Sequence, residues 1–337
     1  MINNKQSYGF SLVELLVAMV VGLIIVTGVF SLHSATRKTQ VSNEVQMDMV
    51  ADARFAIELI SYDLRHAGMW GGTNKDGLIE CKSSDAPCTG TSVPVTAAGD
   101  CAVGQYFNLT LPVFATDGTA GNPYSATCIP GSEKYVANTD VLEIRYADSN
   151  YEDPITGLEK TLSTGQSYVR SNFVSGRVFT GATAPELSSH ESSPQTHNYV
   201  LHSFTYYVSD YTDTVGDGVP SLRRVALVKG PAMQNQTLVS GVADLQVQFG
   251  VDADGIEDAN GNLAIDRYVN PDAVTDWTAV YAAKIWLLMR SDKKQLGVDT
   301  AKSFSIAGAA ATTYGGQDDY RYFLVTSVVN LRNLKQL

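Results

Sequence analysis

A carboxylate inside an apolar run is the most unusual chemical feature of this sequence. Glu14 is the single charged residue among the 23 residues from Phe10 to Leu32, and a charge near the centre of a bilayer costs about 2.5–3.5 kcal/mol. The nearest basic side chain downstream is Arg37. Cleavage between Gly9 and Phe10 would create an α-amino group four residues before Glu14. We therefore expect this amine to pair with a Glu14 carboxylate, more readily with that of a neighbouring subunit than with the one in the same chain.

A second group of side chains has the chemistry of a calcium site. Asp252, Asp254, Glu257 and Asp258 place carboxylates densely in one short stretch, and Ca²⁺ prefers such oxygen ligands. The spacing departs from the EF-hand pattern, and Asp266 would have to close the site. A solvated acidic turn is therefore the favoured interpretation and a calcium site is the alternative. No other metal and no cofactor is expected.

Cysteine chemistry is confined to one part of the chain. The four cysteines, Cys81, Cys88, Cys101 and Cys128, lie in a stretch rich in Gly, Pro, Ser and Thr. In an exported protein this even count favours two disulfides that staple a loop-rich segment. Zinc is the alternative, but C-x-x-C spacing and an intervening histidine are both missing from the stretch. Four cysteines allow three pairings, and the sequence does not choose among them.

Composition and motifs exclude several functional classes. The 337-residue chain carries a formal net charge of −11, which disfavours binding to nucleic acid because that function needs a basic surface. The mean hydropathy of −0.05 argues against a membrane protein with several spans. The sequence contains no P-loop, no G-x-S-x-G, no H-E-x-x-H and no dinucleotide fingerprint. We therefore expect a protein that is not an enzyme.

The apolar run predicts the first structural element. A helix over residues 10–32 would be about 34 Å long, enough to cross a hydrocarbon core of about 30 Å. A cleaved signal peptide would have a basic leader, a shorter apolar segment and a small-residue cleavage site after it. Here the leader has one lysine, Lys5, and no such site precedes His33. The run is therefore interpreted as a membrane-spanning helix.

The helix is predicted to continue beyond the membrane, to about residue 67. Residues 33–67 contain neither proline nor glycine, and Gly68 is a plausible stop. An amphipathic helix has to bury its apolar stripe against other elements. The stripe recurs at steps of three or four residues and consists of Val45, Met49, Ala53, Ala56, Ile60 and Leu64.

The rest of the chain favours β-structure. Residues 73–133 look irregular, with short strands at 102–115, and residues 150–198 form a second loose, polar region. Residues 278–291 fit either a helix or a buried strand, since the length of the segment favours a helix but its ending, IWLLMRS, suits a strand. Strands are predicted where β-branched and aromatic residues alternate with polar ones, at 141–148, 199–210, 222–229, 238–252 and 320–333.

The N-terminal residues resemble those of type IV pilin-like proteins. The similarity lies in Gly9-Phe10-Ser11-Leu12-Val13-Glu14 and the apolar run that follows. The resemblance implies that a prepilin peptidase removes residues 1–9 by cutting between Gly9 and Phe10. It also implies that the new terminal Phe10 is N-methylated and that Glu14 orders subunits during assembly.

Blocks along the rest of the chain are similar to PilW-like minor pilins of type IV pili. The J-type minor pseudopilins of type II secretion share the phrase around GVADLQVQF, but they are usually shorter and lack such a long cysteine-bearing insert, so they are the alternative. The blocks are DLRHAGMWGG (63–72), GVPSLRRVAL (218–227), LVSGVADLQVQFGVDADG (238–255), WTAVYAAKIWLLMRS (277–291) and LVTSVVNLRN (324–333).

The resemblance implies a pilin-like α+β fold. In it, a long N-terminal helix, with a transmembrane half (10–32) and an amphipathic half (33–67), packs on antiparallel β-sheet. Residues 68–337 would form the β-rich globular domain, with 73–133 as its loop-rich cysteine-containing insert.

The resemblance also implies a cellular role. The precursor would cross the inner membrane of a Gram-negative bacterium once, with its C-terminal domain in the periplasm, before it enters the pilus. Its partners would be prepilin peptidase, the major pilin and other minor pilins, in a tip or priming complex that often carries a large adhesin-like tip protein. Twitching motility, adhesion and DNA uptake would depend on the pilus rather than on chemistry in this subunit. A directly adhesive role of the insert is a further alternative.

Overall fold

The computed structural model describes residues 11–85, 97–152, 154–155, 158–159, 162–190, 195–252, 254, 265–295, 300–316 and 318–334. The chain divides into two compact units, Met1–Asp48 and Met49–Leu337. The described part of the first unit is almost entirely helical, and the second unit contains the sheets.

One helix, α1 (Leu12–His66), accounts for 55 residues. Within the second unit its apolar stripe is buried as predicted: Met49, Ala53, Ala56, Ile60 and Leu64 all lie in the core. The helix ends before Gly68, whose φ of +77° is a left-handed conformation that favours glycine.

The larger sheet has eight strands, and β8 is its centre. On one side β8 pairs with β3 along most of its length. On the other side its first half pairs with β6 and its second half with β9. All pairings are antiparallel except that of β1 with β7. The strands are β1 (Ile79–Glu80), β2 (Val113–Thr116), β3 (Val141–Tyr151), β6 (Ser167–Ser171), β7 (Gly176–Thr180), β8 (His197–Ser209), β9 (Ser221–Val228) and β10 (Ala232–Ser240).

A second, antiparallel sheet has the strand order β12-β11-β13-β16. Two short hairpins, β4–β5 and β14–β15, complete the described strands. These strands are β4 (Pro154–Ile155), β5 (Leu158–Glu159), β11 (Val242–Val251), β12 (Arg267–Val269), β13 (Val280–Arg290), β14 (Lys302–Phe304), β15 (Thr312–Tyr314) and β16 (Tyr322–Asn330).

The structure decides one open assignment and corrects two predictions about strands. Residues 278–291, which fit either a helix or a buried strand, form strand β13, because the segment pairs with a strand on each side. The single strand predicted at 238–252 is two strands, since Gly241 adopts a φ of +75° and separates β10 from β11. The region 150–198, which we expected to be loose, contributes β6 and β7 to the large sheet.

A buried carboxylate joins α1 to the large sheet. Asp63 is 2% exposed and accepts hydrogen bonds from the hydroxyl groups of Tyr146 on β3, at 2.7 Å, and Tyr206 on β8. Burial raises the pKa of the Asp63 carboxyl, and the two tyrosine donors oppose that rise. The apolar stripe predicts that this face of α1 is buried, but the polar contact at Asp63 was not predicted.

Asp140 links the two sheets. It stands immediately before β3, where its N–H donates to the carbonyl oxygen of Leu245 and its carboxylate accepts from the N–H of Val247, both on β11. The side chain is 2% exposed. Burial raises the pKa of Asp140 to about 7, partly offset by the Val247 donor.

We predict that Asp63→Leu destabilises the fold by at least about 2 kcal/mol, because it leaves two buried tyrosine hydroxyl groups without an acceptor. The triple variant Asp63→Leu/Tyr146→Phe/Tyr206→Phe should recover most of that loss, since it removes the stranded donors as well. Thermal unfolding of the full-length chain in detergent micelles measures both. Glu58→Ala, an exposed carboxylate on the same helix, is the control. Equal unfolding temperatures for Asp63→Leu and Glu58→Ala would contradict the prediction.

We predict that Asp140 makes the protein less stable as pH rises. Its pKa in the folded state, about 7, exceeds the ordinary value of 3.8, so the folded state holds this proton more tightly than the unfolded state. The free energy of unfolding should fall between pH 4 and 7, by up to about 4 kcal/mol for such a difference in pKa. Asp140→Asn should become progressively more stable than the parent over that range in thermal unfolding. Parallel pH profiles would contradict this.

Candidate functional site

The described helix of the first unit presents an unusually apolar surface. Leu12 is 79% exposed and Phe30 is 75% exposed, and the large aliphatic residues between them are also exposed. The hydroxyl of Thr27 donates to the carbonyl oxygen of Leu23, so this polar group is satisfied within the helix. By length and composition α1 is the one described helix that could cross a membrane. Such a surface requires lipid or other apolar helices around it.

Glu14 lies in the first turn of this helix and has a local contact. The backbone N–H of Ser11 donates to the Glu14 carboxylate at 3.3 Å. Ser11 and Glu14 stand three residues apart at the start of the helix, which is the spacing of a capping box. The S-x-x-E pattern at residues 11–14 is the signal in the sequence for this helix start. Glu14 therefore contributes to helix capping in addition to the assembly role that the resemblance implies.

The predicted processing residues Gly9 and Phe10 lie outside the described residues. The structure describes the chain from Ser11 onward, so the cleavage and methylation site stays a prediction from the sequence.

One disulfide pairing follows from the structure. Cys101 and Cys128 form a disulfide, with their Cα atoms 4.6 Å apart. Of the three pairings that four cysteines allow, the structure therefore has the one that joins Cys101 to Cys128. Cys81 is also disulfide-bonded, and Cys88 lies outside the described residues. Disulfide chemistry is thereby confirmed for the insert.

The insert is packed much more tightly than its composition suggests. Tyr106, Phe107 and Leu109 have no exposed surface, and they form a cluster with the disulfide and with large-sheet residues such as Leu201 and Tyr207. Successive strand residues point to opposite faces. Because Tyr206 contacts α1, Tyr207 and its neighbours in this cluster lie on the other face. The insert therefore covers the face of the large sheet that α1 leaves open.

A buried ion pair fastens the insert to β3. Arg145 is 2% exposed and pairs with Glu143, which is equally buried. The guanidinium also donates to the carbonyl oxygens of Gln105 and Leu111 in the insert, at 2.6 and 2.7 Å. The hydroxyl of Tyr124 donates to Glu143. Such a pair is tolerated in a core because both charges have several hydrogen-bond partners.

The far end of the insert is held by a second ion pair. The guanidinium of Arg223 on β9 lies 2.9 Å from the Glu133 carboxylate. The hydroxyl of Tyr207 donates to the same carboxylate at 2.8 Å. Burial raises the pKa of Tyr207, and the nearby Glu133 carboxylate raises it further. Arg223 also lies over the ring of Tyr211, 4.0 Å from its centroid.

Three of the acidic residues considered for calcium come together. Asp252 is buried, Asp254 and Asp266 are exposed, and their carboxylate oxygens lie within 4.8 Å of one another. Glu257 and Asp258 lie outside the described residues. The cluster includes Asp266, which the sequence required to close the site. Calcium binding stays a prediction.

Comparison with known families gives two matches. The model of the prokaryotic N-terminal methylation motif matches residues 4–30. The model described as type IV pilus-assembly protein W matches residues 205–333. Together they support a type IV minor pilin-like protein. Neither the curated proteins nor the solved structures gave a match to the chain.

The two matches fall on different parts of this pilin-like chain. The first covers part of the predicted leader and most of the apolar run. The second runs from within β8 through β9–β16, so it contains the whole of the smaller sheet. The cysteine-bearing insert lies outside both. It is nevertheless integral to this pilin-like fold, because it covers one face of the large sheet.

We predict that the Cys101–Cys128 disulfide stabilises this covering layer. Replacing both residues by serine should lower the free energy of unfolding by roughly 3.5 kcal/mol, the value expected for a loop of this size. At temperatures below the unfolding transition of this variant, the ion pairs at Arg145 and Arg223 should still hold the insert against the sheet. Thermal unfolding combined with limited proteolysis measures both effects. Rapid cleavage within residues 97–128 at room temperature would mean that the disulfide alone holds the insert.

Proposed function

We propose that this protein is a minor pilin that takes part in a tip or priming complex for assembly of a type IV pilus. The proposal rests on three features that occur together near the N-terminus: an exposed apolar helix, Glu14 in its first turn and a family match. A long helix with an exposed apolar surface begins at Leu12, two residues before Glu14, in a segment that matches the N-terminal methylation motif. The role needs no catalytic residue.

Processing would prepare this helix for assembly. In our proposal prepilin peptidase removes residues 1–9, and Phe10 becomes an N-methylated terminus. The subunit is then held in the inner membrane by Phe10–Leu32, with the β-rich part in the periplasm. Transfer into a bundle of pilin helices would bring Glu14 close to the terminal amine of a neighbour. That attraction is strong because the surroundings are apolar.

The second unit supports a structural role for the domain. Its insert buries a sheet face through Tyr106 and Phe107, and the buried Arg145 and Arg223 each form an ion pair. We propose that the domain selects which minor pilins lie beside this one, and that any effect on motility, adhesion or DNA uptake operates through the pilus. A large tip protein would then be carried by the complex as a whole.

We predict that two substitutions at Glu14 separate assembly from helix capping. Glu14→Gln keeps an acceptor for the Ser11 N–H, because glutamine also completes a capping box, but it removes the charge. Glu14→Ala removes both. In the proposed role both variants should be cleaved, should accumulate in the inner membrane and should be absent from sheared surface fibres. N-terminal sequencing and intact mass of each fraction measure this, and unaltered protein recovered from the fibres with a methylated Phe10 is the positive control.

The outcomes of this experiment are distinguishable. Incorporation of Glu14→Gln at the parental level would mean that Glu14 acts as a capping residue and that the assembly mechanism is wrong. An uncleaved Met1 in the parental protein would remove the terminal amine from the mechanism altogether. Methylated protein that stays in the membrane fraction and never reaches fibres would favour the secretion pseudopilin.

A further inference from the structure

Strand β16 has a free outer edge. It is the last strand of the smaller sheet and pairs only with β13 among the described residues. Just beyond its two ends, the N–H of Leu331 donates to the carbonyl oxygen of Tyr281, and the N–H of Ser291 donates to the carbonyl oxygen of Arg321. Hydrogen-bonded pairs alternate with non-bonded pairs along an antiparallel ladder. Because residues 321 and 331 both belong to bonded pairs, the odd-numbered residues of β16 bond to β13. The even-numbered residues point their N–H and C=O groups outward, where the described residues provide no partner.

This edge lacks the features that normally prevent strand pairing. β16 has nine residues, YFLVTSVVN, with no charge and no proline, and its register with β13 contains no bulge. Proteins usually protect exposed edges by such features or by short strands. The other outermost strands of the two sheets are protected: β1, β2 and β12 have two to four residues, and β10 has a register shift and bonds to Ala98 of the insert.

A basic groove lies at the C-terminal end of the same edge. It has a volume of about 470 Å³ and is lined by residues of β16, by the end of α1 and by the residues that follow β16. Arg65 and Arg332 line it, both are exposed, and neither guanidinium has an ion-pair partner among the described residues. His66 lies beside them. In a chain of net charge −11, two unpaired arginines next to a free edge indicate a negatively charged partner.

We propose that β16 accepts an extended segment of another protein as an additional antiparallel strand, and that carboxylates at the N-terminal end of that segment bind Arg65 and Arg332. The backbone groups of Leu324, Thr326 and Val328 supply the strand pairing, a mode in which main-chain hydrogen bonds give affinity and side chains give specificity. The antiparallel direction places the start of the added segment beside the groove. The inference rests on the second unit alone and does not depend on the role of Glu14.

The test uses the full-length chain in detergent micelles and a fluorescent synthetic peptide. The peptide has two aspartates followed by alternating threonine and valine, and a control peptide carries lysines in place of the aspartates. Fluorescence anisotropy should show saturable binding of the acidic peptide and at least about fivefold weaker binding of the control. Arg332→Glu and Arg65→Glu should each weaken binding of the acidic peptide by roughly fivefold. Lys229→Glu, which reverses an exposed charge in the turn between β9 and β10, should have no effect.

Backbone pairing is tested separately. Thr326→Pro removes an outward N–H and leaves the bonds to β13, so it should abolish binding, whereas Thr326→Val should bind like the parent. Residue-resolved hydrogen exchange on the unaltered chain provides a measurement without substitution. The amides of Leu324, Thr326 and Val328 should exchange more slowly when peptide is bound, and those of Val325 and Ser327 should be unchanged.

Three results would overturn the proposal. The first is a lack of saturable binding, and the second is binding that is insensitive to both Thr326→Pro and the arginine reversals. The third is a dimer in sedimentation that Thr326→Pro dissociates, which would assign the edge to a second copy of this chain rather than to another protein. None of these results bears on whether Glu14 functions in assembly.

Discussion

The fold depends on burying one face of a helix against a sheet, with a carboxylate in the middle of that face. Asp63 is tolerated there only because Tyr146 on β3 and Tyr206 on β8 place their hydroxyl groups within hydrogen-bond distance of its carboxylate. Desolvation of a carboxylate is expensive, whereas a buried carboxylate with two donors is retained. This requirement fixes how the helix lies along and across the sheet within the second unit. Apolar contacts such as those of Ile60 would alone permit sliding, since they have no preferred direction.

Once one face of the large sheet is occupied by the helix, the other face also needs a cover. The cysteine-bearing insert supplies it, and this explains why β3 is buried along residues 141–147. Arg145 donates to two carbonyl oxygens of the insert, at Gln105 and Leu111, as well as pairing with Glu143. Arg223 pairs with Glu133 of the insert and also donates to the carbonyl oxygen of Thr212, in the loop between β8 and β9. The disulfide limits the freedom of the insert when it unfolds.

Two surfaces have no partner within the described part of the chain. One is the apolar helix around Leu12–Leu32, and the other is the outer edge of β16. They differ in kind, because the first lacks apolar neighbours and the second lacks hydrogen-bond partners. A subunit that functions inside an assembly is expected to expose such surfaces, since its neighbours complete them. This is the physical link between the N-terminal motif match and the architecture of the second unit.

The sequence by itself determined the features that depend on local pattern. These are the helix and its buried stripe, the stop near Gly68, strands β3, β8 and β9, and the presence of disulfides. Glu14 as the residue of interest also followed from the sequence, since a lone charge in an apolar run stands out without a structure. Tertiary structure decided whatever depends on partners distant in sequence. Residues 278–291 form a strand because β11 and β16 flank them. Asp63 is a core residue because the hydroxyl groups of two tyrosines, 83 and 143 positions away, donate to its carboxylate. The insert forms a structural layer because it covers the face of the large sheet that the helix leaves open. Periodicity reports which residues avoid water, but it does not report which distant groups will satisfy a buried charge or a strand edge.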